Sequence, residues 1–348
     1  MLEIKRQRWK EVEYTKRQIN DAGNTVRRDD STAEELDFAT KVIDNWRAAH
    51  AYPLHVIYIH LRGMAAARKD ILVVERLKRL DSIIGKLKRE HDMELWRMQD
   101  LGGCRFIVPT VDEVFSFAKK YKLSHVRHEF KREYDYINNP KPSGYRSLHL
   151  VYKFHSDTKE TYNQNMLIEI QFRTRLQHVW ATALETMGLF TKQALKAGQG
   201  ETYVKRFFIL VSSLFALKEG YPVVPGTLSD ERILISEIKK INNEHHLVEM
   251  LRAIRVALDH EDGRTLDKKG YYVLILNYNI RRLKIRYFLP SQIDEANTLY
   301  TQIERTRKTT GRDAVLVRAA SFGALKAAYP NYFADIGDFV ELVEDYLR

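Results

Sequence analysis

The stretch Tyr134-Asp-Tyr-Ile-Asn-Asn-Pro-Lys-Pro-Ser-Gly-Tyr-Arg-Ser-Leu-His149 admits few backbones. Tyr134 and Tyr136 fall on one face of a period-2 pattern, as in a strand. Pro140, Pro142 and Gly144 then exclude regular structure and impose a shaped loop. The apolar run from Leu148 to Phe154 resumes a strand. The spacing therefore predicts strand, loop, strand. Tyr145 leaves the loop beside Lys141 and Arg146. A rigid loop that carries a tyrosine between two cations suits a base, which stacks, and its phosphates, which pair with the charges. A purely structural hairpin satisfies the same composition.

Three other segments bear on that choice. Met166-Leu-Ile-Glu-Ile-Gln-Phe-Arg173 alternates: Ile168, Ile170 and Phe172 face one way, Glu169, Gln171 and Arg173 the other. Such a face is either reactive or half of a salt-bridged sheet. Met98 to Val108 reads as a turn entering a buried strand. Asp100 stands at its mouth, and Arg105 faces away from Cys104, Phe106 and Val108. Residues 75–90 read as a helix at 100° per residue. Leu77, Leu80, Ile83, Ile84 and Leu87 form its packed side, and Lys78, Ser82, Lys86 and Arg89 form the opposite file. That file can line a triphosphate or be a solvated basic face.

The rest of the chain supplies scaffold. Residues 1–62 are expected to be helical, with an N-cap at Ser31-Thr32 and an interruption at Pro53. Helices are expected from Thr110 to Tyr121, from Thr174 to Lys192 and over 201–218, the last apolar nearly all round and hence buried. Glu219 to Ser229 is a Pro/Gly hinge. Beyond it a long helix (230–259), a polar loop, a hairpin (271–278 with 283–288), a helix (291–308), a strand (314–317) and two helices (321–329 and 336–347) make a small α+β module. The expected division is 1–218, hinge 219–229, and 230–348. The fold class is α+β, a mixed sheet flanked by helices with that smaller module attached. A net charge of +11 fits a polyanionic partner. The single cysteine, Cys104, excludes an internal disulfide and a multi-cysteine zinc site. No apolar run reaches the roughly 20 residues of a membrane span. A cytoplasmic location without membrane attachment is expected.

Taken together, Arg-x-Lys-x-x-x-Ser-Ile-x-x-Lys at 76–86, Asp-Leu-x-Gly-x-Arg at 100–105, Asp-Tyr-Ile-x-x-Pro-Lys-x-x-Gly-Tyr-x-Ser-Leu-His at 135–149 and Glu-x-Gln-x-Arg-Thr followed by His at 169–178 resemble, in order, the RelA/SpoT nucleotide pyrophosphokinase domain. The resemblance spans about residues 40–218. It implies the family's nucleotidyltransferase-like mixed sheet and transfer of the β,γ-pyrophosphate of ATP to a ribose 3′-hydroxyl, with release of AMP. It also implies that Arg76, Lys78, Ser82 and Lys86 hold ATP with Arg105 nearby. Asp100 would bind Mg²⁺, and Glu169 would bind metal or draw the proton from the hydroxyl. Tyr145 would stack on the acceptor base, with Lys141, His149, Gln171 and Arg173 around the acceptor. The chain has no segment like the His-Asp hydrolase centre of long bifunctional members. It has Ser-Gly-Tyr where many relatives have Asn-Gly-Tyr, which bears on guanine specificity.

The C-terminal third resembles the regulatory module of the CapRel-type fused toxin–antitoxin proteins of antiphage defence, through Ala-Ala-Tyr-Pro-Asn-Tyr-Phe at 327–333. That likeness implies that Tyr329 and Tyr332 plug the ATP site until a phage protein, typically capsid, binds the module, and that the acceptor is the 3′-CCA adenosine of tRNA. Core packing is the alternative role for the two tyrosines. A guanosine or adenosine nucleotide is the alternative acceptor. A catalytically inactive nucleotide-binding module is the reading of a different class. The oligomeric state is left open, a monomer being compatible with the sequence.

Overall fold

The computed structural model describes residues 9–191, 201–253, 257–259, 269–277, 282–310, 312–319 and 336–348. It begins with three helices, α1 (Lys16–Thr25), α2 (Ala33–Ala49) and α3 (Ala51–Met64). Thr15 and Thr32 start the first two through reciprocal capping boxes with Gln18 and Glu35. The expected interruption at Pro53 is instead a break at His50. Pro53 sits in the first turn of α3, where its missing N–H is not needed.

Next come β1 (Leu72–Leu77), α4 (Leu80–Arg89), β2 (Gly102–Val108), α5 (Val111–Leu123), β3 (Glu129–Asp135), β4 (Leu148–Lys153), β5 (Leu167–Thr174), α6 (Arg175–Thr191) and α7 (Glu201–Glu219). The remaining elements are α8 (Glu231–His245), α9 (Leu247–Ala253), β6 (Ala257–Asp259), β7 (Gly270–Asn277), β8 (Arg282–Phe288), α10 (Ile293–Thr310), β9 (Arg312–Ala319) and α11 (Gly337–Leu347).

The strands form one mixed sheet in the order β3-β4-β5-β2-β1-β9-β7-β8-β6. The pairs β2–β5 and β6–β8 are parallel and the others antiparallel. The fold is therefore α+β, as the alternating patterns imply. β1 joins the two halves, pairing with β2 along its length and with β9 at Glu75 and Arg76. At that seam the buried Arg318 guanidinium donates to the Tyr271 hydroxyl at 3.2 Å and lies 3.9 Å from the Glu75 carboxylate.

Two differences from the sequence reading concern helices. Residues 75–90 are not one helix. Ile71-Leu-Val-Val-Glu-Arg-Leu77 is apolar and β-branched enough to form β1, and pairing with β2 overrides the helical period that the following residues suggest. The long helix expected over 230–259 is α8, α9 and β6. His246 adopts a left-handed backbone (φ 50°), and the Asn242 side chain accepts from the Val248 N–H at 2.9 Å, turning the chain. The helix expected over 321–329, with Tyr329 and Tyr332, lies outside the described residues.

One face of β2, β4 and β5 buries Cys104, Phe106, Leu148, Leu150, Ile170 and Phe172 against Leu54 and Ile57 of α3 and Val114 and Ala118 of α5. α7 is apolar nearly all round over its middle turns because these are enclosed: its Phe207, Phe208, Leu214 and Phe215 meet α6, α8, α9 and α11 in a second cluster. The N-terminal helices close over α4 through Val42, Ile43, Trp46, Ile83 and Leu87. Among the described residues no helix is long and apolar enough to cross a membrane.

His50 is fully buried, its Nδ1 2.7 Å from the Trp46 carbonyl, and burial pushes its pKa from 6.5 down to about 4. The unfolded chain therefore takes up a proton that the folded chain refuses. Stability should be undiminished above pH 6.5 and should fall as the pH drops from there towards 4. Denaturant midpoints at pH 7 and pH 5 measure this, and His50→Gln should lessen the difference.

Candidate functional site

The strand registers place the polar positions on the face of the sheet opposite the α3/α5 core. Gly103 pairs with Glu169, Arg105 with Gln171, His149 with Gln171, and Tyr134 with His149. Paired residues point to the same side, so Arg105, Glu169, Gln171, Arg173, His149 and Tyr134 share one face. The alternation in 166–173 is thus the middle of a polar surface that β4 and β3 extend on one side and β2 on the other. A cleft of about 1190 Å³ opens on it, lined by Lys86, Asp100, Lys141, Tyr145, His149, Glu169 and Gln171, with Tyr134, Tyr136 and Arg132 along one rim.

Asp100 precedes β2, and the connection from β1 to α4 lies beside it. The Lys78 backbone N–H donates to the Leu101 carbonyl at 2.8 Å. Lys78 Nζ then lies 2.5 Å from one Asp100 oxygen, and Lys86 Nζ, from two turns into α4, 3.1 Å from the other. The two lysines meet at one carboxylate although Lys78 is not on the helix. Burial raises the Asp100 pKa, but the two ammonium groups outweigh it and hold the carboxyl below its ordinary value.

Glu169 is at the centre of a closed hydrogen-bonded ring. His149 Nδ1 is 3.1 Å from Glu169 Oε2, and Gln171 Nε2 donates to Oε1 at 2.5 Å. Arg173 donates to Gln171 Oε1 at 2.7 Å and to the Tyr145 hydroxyl, which is 2.9 Å from His149 Nε2. Burial alone would raise the Glu169 pKa; His149, Gln171 and Lys86 reverse the sign and lower it. Burial raises the Tyr145 pKa, keeping the hydroxyl protonated within the ring.

The loop that presents Tyr145 is pinned from below. Gly144 has φ +91°, and a Cβ there would lie 3.0 Å from Ser212 Cβ and Trp180 Cζ2. Ser212 on α7 donates to the Gly144 carbonyl at 2.5 Å. Arg146 does not flank Tyr145 as its position suggested. It is buried and donates to the carbonyls of Ile137 and Pro222 at 2.9 and 2.6 Å, tying the loop to the 219–229 segment. The cations beside the Tyr145 ring are Lys141 (5.3 Å) and Arg173 (5.0 Å).

The expected ATP-holding set divides. Lys78 and Lys86 converge on Asp100. Arg76, on β1, and Arg105 lie towards α6, where they and Arg173 lower the pKa of Glu185 against the burial that raises it; Arg105 is 3.7 Å from that carboxylate. Ser82 stands one turn before Lys86, outside the cleft lining. Glu185 lies within the helix expected from Thr174 to Lys192 and was given no role there. Its pairing with Arg105 follows from the contact between α6 and β2, which no local pattern encodes. Tyr136 was also missed as a site residue. Its ring is 6.1 Å from Tyr145 and 4.4 Å from the Lys141 ammonium; its place on the same strand face as Tyr134 was the available signal.

Residues 75–192 match the family described as the region found in RelA / SpoT proteins. The chain is 34% identical over 114 residues to the GTP pyrophosphokinase YjbM of Bacillus subtilis (strain 168), a match covering 32% of this chain and 52% of that protein. It is 30% identical over 113 residues to the GTP pyrophosphokinase YwaC of the same organism, covering 31% and 52%. The chain spans about half the length of these curated relatives. Among solved structures, small alarmone synthetase 1 from Bacillus subtilis bound to its product pppGpp aligns at 25% identity and a TM-score of 0.42, over 49% of this chain and 89% of that one. The segment similar to the RelA/SpoT region is the segment that builds β1 to β5 and contains Asp100, Tyr145 and Glu169.

Proposed function

We propose that the cleft transfers the β,γ-pyrophosphate of ATP to a ribose 3′-hydroxyl. The observation that carries this reading is the convergence of Asp100, held by Lys78 and Lys86, with the Glu169–His149–Tyr145–Arg173–Gln171 ring in a single cleft. In the reaction the acceptor oxygen bonds to the β-phosphorus of ATP, the bond from that phosphorus to the α,β-bridging oxygen breaks, and AMP leaves with the electron pair. Lys78, Lys86, Arg76 and Arg105 neutralise the triphosphate. Tyr145 offers its ring to the acceptor base, with Lys141 and Arg173 beside it. Glu169, held ionised, accepts a hydrogen bond from the attacking hydroxyl and receives its proton as the new bond forms. Little base strength is needed, because phosphoryl transfer states are loose and depend mainly on position and charge.

The donor set fits Mg²⁺. Asp100 and Glu169 are two carboxylates close enough for each to raise the other's cost of ionisation, which a dication would relieve. Among the described residues no group of three or more His, Cys, Asp and Glu could hold a metal. Mg²⁺ characteristically takes one or two carboxylates and completes its shell with substrate phosphates. When bound it would neutralise charge on the transferring phosphates.

The finer reading makes the acceptor the 3′-CCA end of tRNA, so that transfer stops translation. It makes residues 230–348 a regulatory unit whose Tyr329 and Tyr332 restrain the site until a phage protein, such as capsid, binds. The net charge of +11 and the likeness of residues 327–333 to CapRel-type modules support it. A guanosine nucleotide is the second reading, favoured by the names of the two GTP pyrophosphokinases that the chain resembles. The test uses purified protein, γ-³²P-labelled ATP and Mg²⁺, with GDP, GTP or bulk tRNA, each with and without lysate of phage-infected cells. Label on tRNA that depends on the lysate is the expected outcome. Label on guanosine nucleotides alone would overturn the tRNA reading, and label on nothing would leave the inactive binding module.

A further inference from the structure

Beyond the reacting nucleotide, the cleft continues along the outer strand of the sheet. Tyr134 and Tyr136 follow Tyr145 in a file: Tyr136 is 6.1 Å from Tyr145, and Tyr134 stacks on Tyr136 at 5.8 Å with planes 3° apart. The Tyr134 hydroxyl donates to Gln99 Oε1 at 3.2 Å, and Arg132 approaches it at 3.5 Å. This file follows from period 2, since 132 and 134 share one face of β3, Tyr136 follows directly after the strand's end at Asp135, and β3 is the sheet's edge. Arg97, Gln99 and Arg132 line both the main cleft and a second groove of about 550 Å³, whose far end carries Lys16. Lys16 and Arg97 are exposed, and among the described residues neither has an acidic partner. Exposed cations that the chain's own carboxylates leave unpaired are available to phosphates.

Successive aromatic faces along a basic groove are how proteins hold single-stranded nucleic acid with little sequence preference. The rings take the bases, and the charges follow the backbone. A mononucleotide would use Tyr145 and leave the rest of the file without a role. We propose that Tyr136, Tyr134, Arg132, Arg97 and Lys16 form a track for the unpaired 3′ strand of an RNA acceptor, carrying the nucleotides that precede the one seated on Tyr145. This rests on the reading of the cleft as a transfer site and names the part of the acceptor that the track receives.

The test is binding, independent of turnover. A 5′-fluorescent RNA hairpin with a 3′-ACCA overhang, and the same hairpin blunt-ended, are titrated with the full chain by anisotropy at several salt concentrations. The Lys16→Ala/Arg97→Ala double variant should bind the overhang hairpin at least tenfold more weakly. Its slope of log affinity against log salt should be shallower by about 1.4, at about 0.7 per single-strand phosphate contact. Tyr134→Ala should weaken binding several-fold through lost stacking. The blunt hairpin should bind the wild type as weakly as the double variant binds the overhang. Circular dichroism of each variant checks folding, and Lys16→Arg/Arg97→Lys should restore binding. Undiminished binding by the folded double variant, or equal affinity for the two hairpins, would overturn the track. Label transfer to guanosine nucleotides alone, with hairpin binding as predicted, would overturn the acceptor role of the track together with the tRNA reading and leave only a binding site for single-stranded RNA; weak hairpin binding with label on tRNA would overturn the track and leave the transfer reading.

Discussion

Asp100→Asn and Glu169→Gln should each lower the rate of pyrophosphate transfer by about 10²–10³-fold or more, the cost of losing one well-placed electrostatic group in a transfer site. The two differ in cause. Without the Asp100 charge, the ammonium groups of Lys78 and Lys86 lose the anion that holds them 2.5 and 3.1 Å away, repel each other and swing towards solvent. Without the Glu169 charge, His149 and Gln171 lose their common acceptor, and the ring orienting Tyr145 and Arg173 opens. Asp100→Asn should therefore show its larger effect on ATP, and Glu169→Gln on the acceptor, in a kinetic analysis that varies each substrate separately. Both carboxyls are held below their ordinary pKa in the fold, so removing either charge should also lower the melting temperature, and the rates are compared at temperatures where both variants are folded. Wild-type rates in both variants would remove the assignment of the two carboxylates.

Gly144→Ala should destabilise the protein by about 2–4 kcal/mol, combining the left-handed backbone cost of an L-residue with the crowding of an added methyl group. The backbone there has φ +91°, and the new Cβ would press on Ser212 and Trp180, neither of which can withdraw without moving α7 or α6. Relief would lift the loop from Ser212 and carry Tyr145 with it. Transfer should then fall even at temperatures where the variant is folded, with a rise in acceptor KM larger than any change for ATP. Denaturant unfolding reports the first effect and steady-state kinetics the second. A variant as stable and active as the wild type would mean that the loop is not held as described.

The strand alternations were legible in the sequence because period 2 survives burial of one face: 166–173 and the strand entered within 98–108 became β5 and β2 with the expected sides, and the apolar run from Leu148 became β4, buried on both faces. The loop at 134–149 was legible because proline and glycine leave few alternatives. The helix period misled at 75–90, where Leu77 and Leu80 fit a helical stripe although the segment 72–77 is a strand paired to β2. The basic file nevertheless yielded Lys78 and Lys86, because a residue in the turn and a residue two turns into α4 both reach Asp100. Arg146 does not take the place beside Tyr145 that sequence proximity gave it, and Arg173, expected around the acceptor, stands there. Which arginine approaches Tyr145 depends on the register of β4 against β5, and register is a tertiary property. The closed ring through Glu169 was illegible for the same reason, since it draws on two strands and a loop. The joining of β1 to β9 by two residue pairs leaves no mark in either segment alone.

The most direct measurement of the central claim is phosphorus NMR of the wild type with ATP, Mg²⁺ and a mixture of GDP, GTP and tRNA, with and without phage-infected lysate. Transfer of an intact pyrophosphate produces AMP and a 3′-linked diphosphate in equal amounts, both forming at least about 100-fold more slowly with Glu169→Gln. Formation of ADP with a monophosphorylated product, or no AMP under any of these conditions, would contradict the account.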